Sequence, residues 1–398
     1  LSVKSEKLQF FDLYLERGKA YRKIGKIDLS ISDIGMCLEL QKTNTKPKIL
    51  ANALNELGLS LFLKGSLEES VDRFTKAIEL DPENSMFLNN RGKSNTAMGF
   101  FDQANTDYDQ ALVLSPLNSI YLHNRGLNFV ETKEFIMAHE DFDKAIEIEP
   151  SNGIYLYSKG NAFLLENNLL DAKNLFIASI KIDSNNIDSH LGLATVYEKL
   201  NMMKNALEEV DIVTKLNPTN MKALKLQGNI YKITKNYKES LITIEKAIEL
   251  SQDKGNLVFQ KGECLLKLGR LDEAIDTLTN CIELNCNELS TYRLLGLAYK
   301  EKGNYEKSLH YFNFGLKEDK FNIEFLMDRS MLYTISKSYD LALKDLHTIE
   351  KKEQFPLVYF RLSIVNYLCG NYEKAIECGF KSLEGELETE IKVICYYV

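Results

Sequence analysis

The stretch GLNFVETKEFIMAHEDFDKAIEIEP, Gly126 to Pro150, carries the pattern that decides the fold. Its glycine has counterparts every 34 residues at Gly58, Gly92 and Gly160, then at Ala194, Gly228, Gly262, Gly296 and Ser330. With that glycine set at position 8 of a 34-residue repeat, Pro82, Pro116, Pro150 and Pro218 all fall at position 32. Position 20 is small, as in Ser70, Ala104, Ala138 and Ala172, and position 24 is large and apolar, as in Phe74, Tyr108, Phe142 and Phe176. An earlier copy starts near Phe11 with Gly18, Tyr21, Ser30 and Ile34 in place. A late copy, one residue short, carries Asn366, Gly370 and Ala375, which makes eleven copies over residues 11–383.

Within each copy, apolar residues recur at positions 4, 8 and 11 and again at 20, 24 and 27. That is the spacing of two amphipathic helices. Turns such as Leu268-Gly269-Arg270 separate the pair, and proline at position 32 ends the second helix because it lacks an N–H. The expected fold class is all-α, with one array spanning residues 1–398. Two irregularities interrupt it. Gly18 and Gly58 are 40 residues apart, so a loop insertion is expected near 41–47. Residues 386–398 read as the apolar start of a further partial helix, which implies that the chain continues or that another subunit covers that end.

Composition narrows the function. The chain has 398 residues, 44% apolar and 27% charged, with a net charge of −8 and only 6 prolines. Such a charge lacks the electrostatic footprint of a nucleic-acid binder. No apolar run is long enough to span a membrane, so no membrane insertion is expected. The seven cysteines show no C-x-x-C spacing and fit reduced, buried thiols in a cytoplasmic protein.

The repeat resembles the tetratricopeptide family, whose pattern is Gly at 8, Tyr or Phe at 11, Ala at 20, Phe or Tyr at 24, Ala at 27 and Pro at 32. Gly126, Phe129, Ala138, Phe142, Ala145 and Pro150 match it in one copy. Position 4, where the family favours Trp, holds Leu54, Leu88, Leu122 or Tyr292. The resemblance implies a right-handed superhelical solenoid whose concave groove is lined by positions 2, 5, 6, 9, 12 and 13 of each first helix.

Comparing the copies with one another exposes a coupled pair of positions. Position 7 is arginine in four copies, Arg17, Arg91, Arg125 and Arg329, and in those same copies position 23 is Asp33, Asp107, Asp141 and Asp345. Elsewhere position 23 is never aspartate. An Arg–Asp pair bridging the two helices is therefore expected in each of these repeats. The same reasoning turns Asp107-Tyr108-Asp109 and Asp141-Phe142-Asp143 from apparent metal motifs into packed helix positions.

Signatures of catalysis are missing. The chain has no phosphate-binding glycine loop, no nucleophile elbow, and no second histidine after His139-Glu140 to complete a zinc motif. No catalytic residue, metal or cofactor is expected. Binding other protein chains, as extended peptides or helices in the groove, is. The groove positions place Asn89, Asn90, Lys93, His123, Asn124, Tyr157 and Asn161 in copies three to five, where asparagine amides suit a peptide backbone. Copies six to ten look more apolar, with Leu191, Leu226, Phe259, Leu294, Leu297, Met327 and Met331.

The leading expectation is a non-enzymatic scaffold, a subunit of a large intracellular assembly, with a ciliary or cytoskeletal complex as one such setting. A co-chaperone adaptor is the first alternative. By resemblance, a carboxylate clamp would use Lys225, Asn229 and Gln260, but Ser290 and Leu294 stand where later cations belong, with Arg293 adjacent. The second alternative is the regulatory arm of an enzyme whose catalytic part lies elsewhere. The asparagine ladder that O-GlcNAc transferase arms carry at position 6 survives here only as Asn90 and Asn124.

Overall fold

Short turns and one large apolar residue per second helix fold the chain as successive antiparallel helix pairs. The computed structural model describes residues 2–40, 46–284 and 288–383. Most of the loop expected near 41–47, and the whole helix expected over 386–398, lie outside the described residues. By its internal contacts the chain divides into two compact units, Leu1–Leu216 and Asn217–Val398. The 34-residue period crosses that boundary unbroken, so the repeat gives no sign of it.

The first unit holds six pairs, beginning with α1 (Ser2–Lys23) and α2 (Ile27–Glu39), then α3 (Pro47–Lys64) and α4 (Leu67–Leu80). It continues through α5 (Ser85–Ala97), α6 (Phe101–Leu114), α7 (Ser119–Glu131) and α8 (Phe135–Ile148). The pairs α9 (Gly153–Leu165) with α10 (Leu169–Ile182), and α11 (Ile187–Lys199) with α12 (Met203–Leu216), complete it. The second unit starts with α13 (Met221–Ile233), α14 (Tyr237–Leu250), α15 (Gly255–Lys267) and α16 (Leu271–Glu283). It ends with α17 (Glu288–Glu301), α18 (Tyr305–Glu318), α19 (Ile323–Ile335), α20 (Tyr339–Glu350), α21 (Pro356–Leu368) and α22 (Tyr372–Leu383).

Each first helix stops at position 15, where the backbone is left-handed in all eleven copies, with φ from 57° at Lys337 to 87° at Gly65. Glycine meets that need in six copies, whereas Lys133, Asn167, Asn201, Lys235 and Lys337 adopt it with a Cβ. Six of the first helices are started by an asparagine at position 34. Asn84, Asn118, Asn152, Asn186, Asn220 and Asn322 accept from backbone N–H groups of the first turn. Such a cap is worth about 1 kcal/mol.

Position 8 is small because a ring lies on it. A Cβ at Gly126 would stand 2.7 Å from the Phe142 ring, and one at Gly92 would stand 2.8 Å from Tyr108. Where position 8 does carry a Cβ, at Ala194 and Ser330, position 24 is Val210 and Leu346 and not an aromatic. Phe74, Tyr108, Phe142, Phe176 and Phe312 are fully buried, each contributing about 1.5–3 kcal/mol by leaving water. Where position 20 is serine, its hydroxyl donates to the carbonyl at position 8, as Ser70 does to Gly58 at 2.9 Å and Ser308 to Gly296 at 2.7 Å. Cys37, Cys264, Cys369 and Cys378 are free thiols. Cys281 is disulfide-bonded, which corrects the expectation that every cysteine is reduced.

Candidate functional site

The first helices of neighbouring copies lie side by side, and a diagonal seam of polar contacts joins them in the first unit. Position 5 of one copy meets position 6 of the next, 35 residues on. Asn90 Nδ2 donates to Asn55 Oδ1 at 2.8 Å, and Asn124 Nδ2 donates to Asn89 Oδ1 at 2.8 Å. His123 Nε2 shares a 2.8 Å hydrogen bond with Ser158 Oγ. Burial, reinforced by the Lys93 cation, lowers the His123 pKa to about 4, so the imidazole is neutral at pH 7. Asn89 and Asn90 are only 4% and 8% exposed. This corrects the expectation that they receive a peptide backbone: their amides already bond one another and their neighbours.

Beside the seam, exposed apolar side chains recur at position 2. Position 2 holds Met86, Ile120 and Ile154, exposed by 41%, 54% and 55% on α5, α7 and α9. An exposed apolar side chain thus recurs at the same position on three successive first helices. Lys93, Leu127 and Asn161 follow at position 9, Lys93 and Leu127 exposed and Asn161 half-buried. Lys93 also lies 5.6 Å from the Phe62 ring centroid. Tyr157 is half-buried and tilted against Phe176 at 5.9 Å.

The second unit reverses the expected character. Phe259, Leu294, Leu297 and Met327 pack against its cores, and in the first unit Leu191 is buried. Position 2 here is exposed and polar, as Lys222, Asn256, Ser290 and Glu324. Lys225 is exposed, while Asn229 and Gln260 are half-buried. The 35-residue diagonal recurs as a charged pair: Arg293 Nε donates to Asp328 Oδ2 at 2.5 Å, and Arg293 also meets Glu324 at 2.8 Å. Arg293 is thereby engaged by two carboxylates of its own chain.

The structure brings the arginines and aspartates of positions 7 and 23 together. The closest distances are 2.6 Å for Arg17–Asp33, 2.6 Å for Arg91–Asp107, 2.7 Å for Arg125–Asp141 and 2.7 Å for Arg329–Asp345. All four aspartates are buried. Hydrogen bonding to Asp141 raises the Arg125 pKa, so the charge is fixed. Asp109 accepts from Arg125, and Asp143 pairs with Lys159, so every carboxylate of the two D-x-D segments has a basic partner. In the sixth copy, where position 7 is Leu193, His190 takes over and meets Glu209 at 2.6 Å.

Comparison with known proteins agrees with this architecture. A tetratricopeptide repeat model matches residues 51–84, 222–254, 256–286 and 289–320. A TPR repeat-containing protein of Methanocaldococcus jannaschii is 27% identical over 207 residues, covering 47% of this chain and 36% of the relative. Anaphase-promoting complex subunit 3 of Schizosaccharomyces pombe is 25% identical over 145 residues, 36% of this chain and 22% of that protein. The chain thus spans about a third or less of these relatives' length. The crystal structure of a tetratricopeptide repeat protein from Parabacteroides merdae shares the fold, with a TM-score of 0.52 at 18% identity over 65% of this chain and 99% of that one. Tetratricopeptide repeat segments are thus matched in both units of the chain, and its fold is that of a tetratricopeptide repeat protein.

Proposed function

We propose that this tetratricopeptide repeat chain is a non-enzymatic interaction scaffold, a subunit of a larger assembly, that binds a partner segment along the first helices of its first unit. The observation that carries this reading is the exposed series Met86, Ile120 and Ile154. Apolar side chains repeating at one position on three adjacent helices make a strip that an apolar helix or extended segment can cover. The Asn–Asn and His–Ser contacts beneath it hold the three helices in register without presenting a competing charge.

The carboxylate-clamp alternative has less support, because Arg293 already bonds Asp328 and Glu324. Cross-linking mass spectrometry on the native complex, purified through this chain, tests the scaffold reading. Cross-links from Lys93, beside the apolar strip, to one stoichiometric partner are expected. Recovery of chaperone C-termini alone, or of no partner, would overturn it.

A further inference from the structure

Three of the four Arg–Asp pairs lie beneath an aromatic ring from position 11. Arg17 stands 5.9 Å from the Tyr21 ring centroid, Arg125 is 5.8 Å from Phe129, and Arg329 is 5.7 Å from Tyr333. Each ring lies within cation–π reach of a guanidinium that is also bonded to its aspartate. The fourth pair differs. Position 11 of its copy is Asn95, which turns inward and donates to Asp107 Oδ2 at 3.1 Å. Over this pair the structure has a cavity of about 310 Å³ lined by Val71, Thr75, Arg91, Asn95, Gln103, Thr106 and Asp107. The cavity lies between α4, α5 and α6, wholly within the first unit.

We infer that this cavity receives an aromatic side chain, tyrosine or phenylalanine, presented by a partner polypeptide. The inference rests on the scaffold reading and adds a second point of contact to it. The chemistry of the walls selects a ring over an anion. All three nitrogens of the Arg91 guanidinium donate, Nε and Nη2 to Asp107 and Nη1 to Thr75 Oγ1 at 3.2 Å. Its charge is neutralised by Asp107, each of its nitrogens has a partner, and it lacks the ring that lies within cation–π reach of its three counterparts. Val71 supplies an apolar wall. The Gln103 amide at the exposed rim can bond a phenolic hydroxyl, which favours tyrosine.

The test uses the full chain and N-acetyl-tyrosine amide as probe, with N-acetyl-leucine amide as the aliphatic control, read by saturation-transfer NMR. Asn95→Phe restores the ring that sister repeats carry. It is expected to leave the fold intact, raise the melting temperature and weaken the tyrosine probe about tenfold. The native chain should prefer the tyrosine probe to the leucine probe. Equal binding of the two probes, or a tyrosine signal unchanged in Asn95→Phe, would overturn the inference. Should Asn95→Phe misfold, Thr106→Phe fills the same cavity from its exposed rim and is read the same way. In the native complex, cross-links from Lys76 on α4 to a tyrosine- or phenylalanine-bearing segment are expected and should vanish in Asn95→Phe. Their persistence would exclude a partner's ring. This outcome is separate from the Lys93 cross-links, which stand or fall with the scaffold reading itself.

Discussion

The two units are built from the same helix pair, yet α5, α7 and α9 of the first unit present a different face from α13, α15, α17 and α19 of the second. Around α5, α7 and α9 of the first unit the contacts between first helices are neutral and polar, and the exposed position 2 is apolar at Met86, Ile120 and Ile154, whereas at the start of that unit Arg22 pairs with Glu56 at 2.6 Å. In the second unit Arg293 and Asp328, together with packed apolar side chains, form the seam, and exposed position 2 is Lys222, Asn256, Ser290 and Glu324. Repeat geometry alone therefore does not decide what a face binds. What decides it is which residues the 35-residue diagonal buries and which it leaves exposed.

The largest expected effect tests what the units share. Asp107→Ala leaves the half-buried Arg91 without its carboxylate and should cost about 3–5 kcal/mol in urea unfolding of the full chain. Asp345→Ala, in the second unit, should cost a comparable amount. A loss below about 1 kcal/mol at either site would mean that these pairs behave as exposed ones do.

The next test separates the units, because His123 belongs to the first alone. Its folded pKa is about 4 against 6.5 in the unfolded chain, so the unfolded state takes the proton first as pH falls. Stability from this neutral ring is complete above pH 6.5 and is lost as pH drops towards about 4. By linkage the loss is about 3 kcal/mol. His123→Asn, which supplies the residue that the two preceding copies carry at position 5, should flatten that part of the profile. An unchanged profile would show that the ring titrates freely.

A third test concerns packing that both units use. Gly126→Ala places a methyl against the buried Phe142 ring and should destabilise by about 1–3 kcal/mol, an effect that Phe142→Val should relieve, since Ala194 stands over Val210. The smallest effect has the opposite sign. Lys235 holds a left-handed backbone at φ 60°, so Lys235→Gly should raise stability by about 0.5–1 kcal/mol, a gain of a few degrees in melting temperature at most.

The repeat was legible because Gly at position 8, the large residue at position 24 and, in four copies, Pro at position 32 each answer a local steric demand at a fixed interval. The Arg–Asp pairs were legible for a related reason: position 7 and position 23 change together, and the copies serve as one another's controls. The face was harder to read. Aligning copies at 34 residues compares like with like, but Asn90 meets Asn55 at a spacing of 35, and that offset decides burial. Asn89 and Asn90 consequently read as binding groups when they are seam, and Ile120 and Ile154 escaped notice although position 2 had been assigned to the groove. The asparagine caps at position 34 were in plain view beside the prolines at position 32. Asn95 was visible too, as a departure from the aromatic at position 11, but only the structure shows a cavity where the ring would be. The division after Leu216 left no mark, because the period does not change there.

The central claim is that the first unit's position-2 strip binds the partner, and one paired measurement tests it most directly. The native complex would be purified through Ile120→Asp and, in parallel, through Ser290→Asp at the same position in the second unit, and the stoichiometric partner quantified by mass spectrometry. The account predicts that Ile120→Asp, folded normally, loses the partner while Ser290→Asp retains it. Full retention by Ile120→Asp, or equal loss in both, would contradict it.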